Sequence, residues 1–161
     1  MAPDPLPMWM DLALDLAREA GLRGEVPVGA VVVQDGQVVG VGGNEREAAA
    51  DPSAHAEIVA LRRAAAALGR RVLDDCDLYV TLEPCAMCAG AVILARLRRL
   101  VYGAHDPKAG ACGSALDVLG NARLNHRVEV VAGVGAERAA TLLRDFFAAR
   151  RSKCGEVAEL G

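Results

Sequence analysis

Val80-Thr81-Leu82-Glu83-Pro84-Cys85-Ala86-Met87-Cys88-Ala89-Gly90 is the stretch from which the fold can be read. Asp77 to Leu82 has the apolar run of a strand buried on both faces, and Glu83, standing before a proline, is pushed toward extended geometry that ends it. Pro84 suits the opening of a helix, which places Cys85 and Cys88 one turn apart on one face. The N-terminus of a helix also favours thiolate over thiol, the state in which cysteine binds metal.

The same alternation continues in both directions. Upstream, Val26 to Gln34 is nearly continuous in apolar character, and Asp35-Gly36 then Gln37 to Val41 complete a β-hairpin signal, with Pro27 at the beginning of the first strand. Before it, Trp9, Leu12, Ala13, Leu16 and Ala20 recur at helical spacing, while Asp11, Asp15, Arg18 and Glu19 form the polar face. Asp51-Pro52-Ser53 reads as a start signal for a helix from Ala54 to about Leu68, with His55 in its first turn. Positions two apart on a regular helix point to nearly opposite sides, so His55 and Glu57 share a site only where the helix entry is irregular. Downstream, Arg98 to Tyr102 and Val128 to Val131 read as the fourth and fifth strands. A last helix is expected from about Ala136 to Arg151, with Leu142, Leu143, Phe146 and Phe147 as its apolar residues. Strands alternating with helices give a three-layer α/β/α architecture.

A chain of 161 residues with 53% apolar composition suits one domain over 1–161, with 155–161 as a flexible tail. Aromatic residues are only 3%, so the core must come from Val, Leu and Ala. The net charge of -3 excludes a protein coated in positive charge for nucleic acid; any RNA contact is local, and no DNA partner is expected. Five cysteines are an odd count and two are committed to the motif, so Cys76, Cys112 and Cys154 read as free thiols in a reducing compartment. Asp4 and Asp11 replace the basic start of a secretory signal, and no apolar run approaches the ~18 residues of a membrane span. These features imply a soluble, cytoplasmic protein with no membrane partner.

The chemistry lies in His55-Ala56-Glu57 taken together with Pro84-Cys85-x-x-Cys88. A single Cys-x-x-Cys is ambiguous, but one His and two Cys make three zinc ligands, one short of a closed tetrahedron, and that deficit separates catalytic from structural sites. A structural site would need a fourth ligand such as His105, His126 or Cys112, and no second ligand pair follows. Glu57 alone would read as an acid stabilised by the helix dipole; beside three ligands it reads as a proton carrier. Asn44 after Gly42-Gly43 is by default a turn residue, and Arg150, Arg151 and Lys153 close a helix where cations are favoured anyway. Phe146 and Phe147 are adjacent, so at least one should belong to the core, and His126 is read as structural.

Glu25-Val26-Pro27-Val28-Gly29-Ala30, His55-Ala56-Glu57-Ile58, Thr81 to Ala91, Asn125-His126-Arg127-Val128 and Asp145-Phe146-Phe147 together resemble the bacterial tRNA adenosine deaminases, within the cytidine and deoxycytidylate deaminase superfamily. The likeness spans essentially the whole chain. The His-x-Glu and Pro-Cys-x-x-Cys elements specify only the zinc deaminase superfamily; the Asn-His-Arg and Asp-Phe-Phe blocks narrow it. The resemblance implies a cytidine-deaminase-like fold with a five-stranded mixed sheet, conversion of the wobble adenosine of a tRNA anticodon loop to inosine, one zinc per subunit and a homodimer. It assigns His55, Cys85 and Cys88 to the metal and Glu57 to proton transfer. It assigns Val28, Asn44, Asp106, Lys108, Phe146, Phe147, Arg150 and Arg151 to the substrate. Gly103-Ala104-His105-Asp106 departs from some relatives, which place arginine before this aspartate, and the resemblance then implies a weaker or altered phosphate contact there. Two other readings stand beside this one: a deaminase of a free base or nucleoside such as guanine, cytosine or cytidine, and a non-enzymatic zinc-binding module. Glu57 argues against the second, because a structural site has no use for a carboxylate beside its metal.

Overall fold

Asp35 and Gly36, with φ of 49° and 73°, close the hairpin between β1 (Gly29–Gln34) and β2 (Gln37–Gly43), the two-residue turn whose twist matches its flanking strands. The computed structural model describes the backbone of residues 5–159 and the side chains of residues 5–154; Asp4 and residues 160–161 lie outside the described residues. Around the hairpin stand α1 (Leu6–Leu22), α2 (Ala56–Leu68), β3 (Cys76–Leu82), α3 (Ala86–Leu94), β4 (Arg99–Ala104), β5 (Glu129–Val131) and α4 (Ala136–Glu159).

The 5-stranded sheet has the order β2-β1-β3-β4-β5. β1 runs antiparallel to both β2 and β3, whereas β3, β4 and β5 are parallel, so the sheet is mixed, as the resemblance implied. Alternate residues go to opposite faces: Ala30, Val32, Leu78, Val80, Leu100 and Tyr102 pack with α2 and α3, while Val31, Val33, Tyr79 and Val101 pack with α1 and α4. The three layers follow directly. β3 is buried along nearly its whole length, and truncating Leu78 to alanine there would cost about 2–5 kcal/mol. α2 can lie hard on β2 because Gly40 and Gly42 present no side chain; a Cβ at either would press into the α2 backbone at Ala60 and Ala56.

Several boundaries differ from those expected, each for a local reason. The stripe of α1 that meets the sheet is Met10, Ala13, Leu14, Ala17 and Ala20, with Trp9, Leu12 and Leu16 at its margins; small residues at the centre let the helix approach Gly29. Pro27 precedes β1 instead of starting it. α2 begins at Ala56, so His55 is not in its first turn but caps it, with φ -69° and ψ 153°. Likewise α3 begins at Ala86, so Pro84 precedes the helix instead of opening it, and Cys85 is the capping residue. α4 continues past the expected end near Arg151, and the segment from 155 expected as a tail is helical backbone through Glu159. Phe146 is half-buried and Phe147 is 42% exposed; neither enters a core, because Ala139, Leu142 and Leu143 already occupy the inward positions of that helix. No helix among the described residues is long and apolar enough to cross a membrane.

Candidate metal centre and active site

β3 and β4 are parallel and end together, with Leu82 beside Ala104, and ligands of such sheets gather at the carboxyl ends of their strands. There the N-termini of α2 and α3 converge. His55 and Cys85 are both capping residues in extended conformation, and their carbonyls accept the first helical bonds, from Val59 at 3.0 Å and Ala89 at 2.8 Å. Their side chains are thereby freed from the helical path and turned toward each other, and Cys88 comes up from the first turn of α3.

The sulfurs of Cys85 and Cys88 lie 3.6 and 3.5 Å from Nδ1 of His55, and the three donor atoms are all within 4.8 Å of one another. A nitrogen ~2.0–2.1 Å and a sulfur ~2.3 Å from one tetrahedral ion lie about 3.6 Å apart, so the observed spacing fits a shared metal. The donor set, two soft sulfurs and an imidazole, suits zinc. No further His, Cys, Asp or Glu joins the trio among the described residues. His105 instead lies 3.4 Å from Glu83 and 3.4 Å from the Tyr102 hydroxyl, and His126 Nε2 lies 2.7 Å from the Leu97 carbonyl oxygen. Hydrogen bonding from Cys88 and then from His55 holds the Cys85 thiol down at about 3, the thiolate that metal binding requires. Cys88 is pushed up by the neighbouring Cys85 thiolate and by burial. The His55 imidazole is pushed up, first by its contact with Cys85.

His55 and Cys85 border a small cavity of about 150 Å³, lined also by Val26, Val28, Asn44, Glu57 and Asp106. Glu57 is 4% exposed, and burial pushes its carboxyl up to about 6, into the range where one group can accept and release a proton near neutrality. Asn44 is more than the turn residue it could have been: its amide donates to the Val26 carbonyl (3.0 Å), and its oxygen accepts from the N–H of Ala56 (3.0 Å). It therefore ties the entry of β1 to the start of α2 and sets where the helix begins.

Glu83, with no exposed side-chain surface, organises the loop on the other side. Its carboxylate accepts the N–H groups of Asp106, Cys112 and Ser114 and the Ser114 hydroxyl. Burial opposes its charge, but these donors outweigh burial and hold its pKa below the usual value. Gly110 is required where the loop crosses, since a Cβ would collide with that carboxylate. Asp106 in turn accepts from the N–H groups of Lys108 and Ala109. The resulting turn divides two regions: Asp106 and Ala109 line the cavity, whereas Lys108 lines a groove of about 650 Å³ with Leu143, Arg144, Phe147, Arg150 and Arg151.

Thus the residues assigned from the sequence fall into two groups. Val28, Asn44, His55, Glu57, Cys85 and Asp106 share the cavity, with Cys88 fully buried behind it. Lys108, Phe147, Arg150 and Arg151 share the groove. Phe146 borders neither; its ring meets Phe147 edge-on at 5.4 Å, and the Arg150 guanidinium lies 5.1 Å above it. Sequence reasoning missed Arg46 at the cavity, Arg144 in the groove, and the anchors Glu25 and Glu83. Glu83 carried one signal, a charged residue directly after a strand read as buried.

The chain matches the MafB19-like deaminases over residues 7–151. It is 48% identical over 143 residues to the tRNA-specific adenosine deaminase of Agrobacterium fabrum, covering 89% of this chain and 94% of that one. It is also 49% identical, over 96% of its length, to part of the tRNA(Ile)-lysidine synthase of Deinococcus radiodurans, of which it spans only 26%. Among solved structures it is similar to a tRNA:A34 deaminase studied for A-to-I editing at the wobble position of transfer RNA, with a TM-score of 0.82 at 48% identity, covering 84% of this chain and 99% of the other.

Proposed function

This chain belongs to the MafB19-like deaminases and, within them, to the tRNA-specific adenosine deaminases, and from that premise we propose that it hydrolyses the wobble adenosine of a tRNA anticodon loop to inosine. The observation that carries this reading is the pairing of two unequal spaces. A cavity of about 150 Å³ is smaller than the ~300–1,000 Å³ of most small-molecule sites and suits one flipped base. Beside it runs a groove of about 650 Å³ bearing Lys108, Arg144, Arg150, Arg151 and Phe147. Exposed bases of RNA loops are held by aromatic and arginine side chains in this way, and the acidic total charge leaves the positive footprint local.

His55, Cys85 and Cys88 would hold one zinc per chain, which when bound supplies the Lewis acidity that activates water for attack at C6 of adenine. Glu57 takes a proton from the attacking water and delivers it to N1. The same carboxylate then takes the remaining proton from the C6 hydroxyl and passes it to the departing amine as the C6–N bond breaks, so that water and adenosine give inosine and ammonia. Val28 and Asn44 border the base, and Asp106 closes the cavity on the loop side. Phe147, Arg150 and Arg151 take the anticodon loop, with Phe146 supporting Arg150.

A homodimer is part of this reading. It draws on the family and on the apolar groove between α2 and α3, lined by Ile58, Leu61, Ala91 and Leu94, where Leu94 is 77% exposed. Sedimentation at micromolar concentration tests it, and an active monomer would remove it. A tRNA substrate places the work in the cytoplasm. The deciding experiment measures ammonia release from adenosine, cytidine, guanine and an adenosine-bearing anticodon stem-loop under identical conditions. The stem-loop should be preferred by far. Turnover of guanine or a free nucleoside with no inosine in the stem-loop would replace this function with deamination of small substrates.

A further inference from the structure

One cation at the mouth of the cavity takes no part in holding metal or moving protons. Arg46 lies two residues beyond Asn44, between β2 and α2, and borders the same space as His55 and Glu57. Its peptide is held from several directions. The carboxylate of Glu25, only 3% exposed, accepts the N–H groups of Glu47 (3.0 Å) and Ala48 (2.9 Å). The Arg46 carbonyl accepts the Asp51 N–H at 3.0 Å, and the Glu45 N–H donates to the Ala54 carbonyl at 3.0 Å. This is a segment without regular secondary structure that is nonetheless fixed.

The guanidinium is the exception. It makes no hydrogen bond or ion pair among the described residues, although acids surround it in sequence. Glu45 is taken by Arg63 at 3.0 Å, Glu25 is turned inward, and Asp51 holds Ser53 and lies 3.8 Å from Arg62. Asp106, across the cavity, is occupied by its own turn. Arg46 is an exposed side chain, and its positive charge at the cavity mouth favours a substrate that brings negative charge. Free bases and nucleosides bring none; a nucleotide within a chain brings a phosphodiester on each side of the flipped base.

We propose that Arg46 is a specificity-determining residue that takes a phosphodiester flanking the target nucleotide, and so favours a base presented on a polynucleotide over a free base or nucleoside. This rests on the adenosine deaminase reading and deepens it. A phosphate could also come from a mononucleotide, and the substrates below separate the two sources.

The test compares the wild type, Arg46→Gln and Arg46→Lys on adenosine, AMP and the anticodon stem-loop, with zinc content and melting temperature as controls for folding. Arg46→Gln should lose about tenfold to a hundredfold in kcat/KM on the stem-loop, the worth of one charge-assisted hydrogen bond. Its log–log salt dependence should become shallower by about 0.7, as for one phosphate of a single strand. Arg46→Lys should restore most of that slope. Replacing the contacted flanking phosphate by a neutral methylphosphonate should cost the wild type a similar factor and cost Arg46→Gln nothing further. A wild type that forms no inosine would overturn the deaminase reading itself and this inference with it. An active wild type that Arg46→Gln matches in rate and salt slope, or a methylphosphonate penalty that adds fully to the mutation, would overturn the role of Arg46 alone. So would an Arg46-dependent preference for AMP larger than that for the stem-loop.

Discussion

His55 and Cys85 occupy the same position on two different helices: each caps its helix in extended conformation, with ψ of 153° and 177°, and the two side chains meet at 3.6 Å across 30 residues of chain. Two helix entries are thus aimed at one point. Cys88 lies in the first turn of α3, three residues beyond that helix's cap.

Because the spacing fits one tetrahedral ion, Cys88→Ser should lose zinc and activity together, while the core formed by the sheet survives. Elemental analysis against protein concentration should fall from about one zinc per chain to a small fraction. Full zinc in the purified variant would refute the ligand assignment.

Glu57 stands apart from the three ligands yet borders the same cavity. Glu57→Gln should therefore keep its metal and its melting temperature while kcat falls by at least ~10²–10⁴, the usual worth of a positioned acid–base group. Near-normal turnover in this variant would exclude Glu57 as the proton carrier.

How much of this was legible in the sequence depends on the range of the interactions. The hairpin was readable because local spacing specifies it, and the His, Cys, Cys set because two short motifs, His-x-Glu and Pro-Cys-x-x-Cys, could be read together. The true start of α2 was not, because it is set by the Asn44 oxygen reaching the Ala56 N–H, a tertiary contact. Arg46 was hidden for the same reason: the carboxylate that fixes its segment comes from Glu25, 22 residues before the N–H it holds. Phe146 and Phe147 were misjudged as core candidates because helical periodicity gives a stripe but not which residues of that stripe reach the sheet.

Glu83→Gln should destabilise the protein by about 1–3 kcal/mol, the cost of weakening a buried acceptor that serves several donors. For a chain of this size that is roughly 2–4 °C of melting temperature per kcal/mol. The loop from Asp106 to Ser114 should also become more open to proteolysis. An unchanged melting curve and cleavage pattern would show that the loop is held by other contacts.

Asp75 accepts from the Gln34 amide at 2.7 Å and from Arg70, and these partners, Gln34 first, hold its pKa down at about 2. A lowered folded-state pKa gives stability that is present above the unfolded value of ~3.9 and lost as pH falls through the folded one. With 45% of the side chain exposed, the contribution is under about 1 kcal/mol. The difference in urea midpoint between the wild type and Asp75→Ala should be constant from neutrality to about pH 4 and shrink below it. A gap that widens on acidification would have the wrong sign for this account.

The groove on α4 should affect long substrates and spare short ones. Phe147 is 42% exposed, and it shares the groove with Arg150 and Arg151. Stacking one base on an aromatic ring contributes about 1–3 kcal/mol, so Phe147→Ala should reduce kcat/KM on the stem-loop by about fivefold to a hundredfold. Arg151→Ala should remove one phosphate contact, making the log–log salt slope shallower by about 0.7. If binding energy from the flanking nucleotides holds the target base in the cavity, kcat must fall along with the rise in KM. Neither variant should alter any residual turnover of free adenosine, since Phe147 and Arg151 lie outside the cavity that contains Glu57. Steady-state kinetics on both substrates at several salt concentrations reads all of these effects at once. Equal losses on adenosine and stem-loop would indicate a packing defect of α4, and no loss on either would remove the groove from the RNA path.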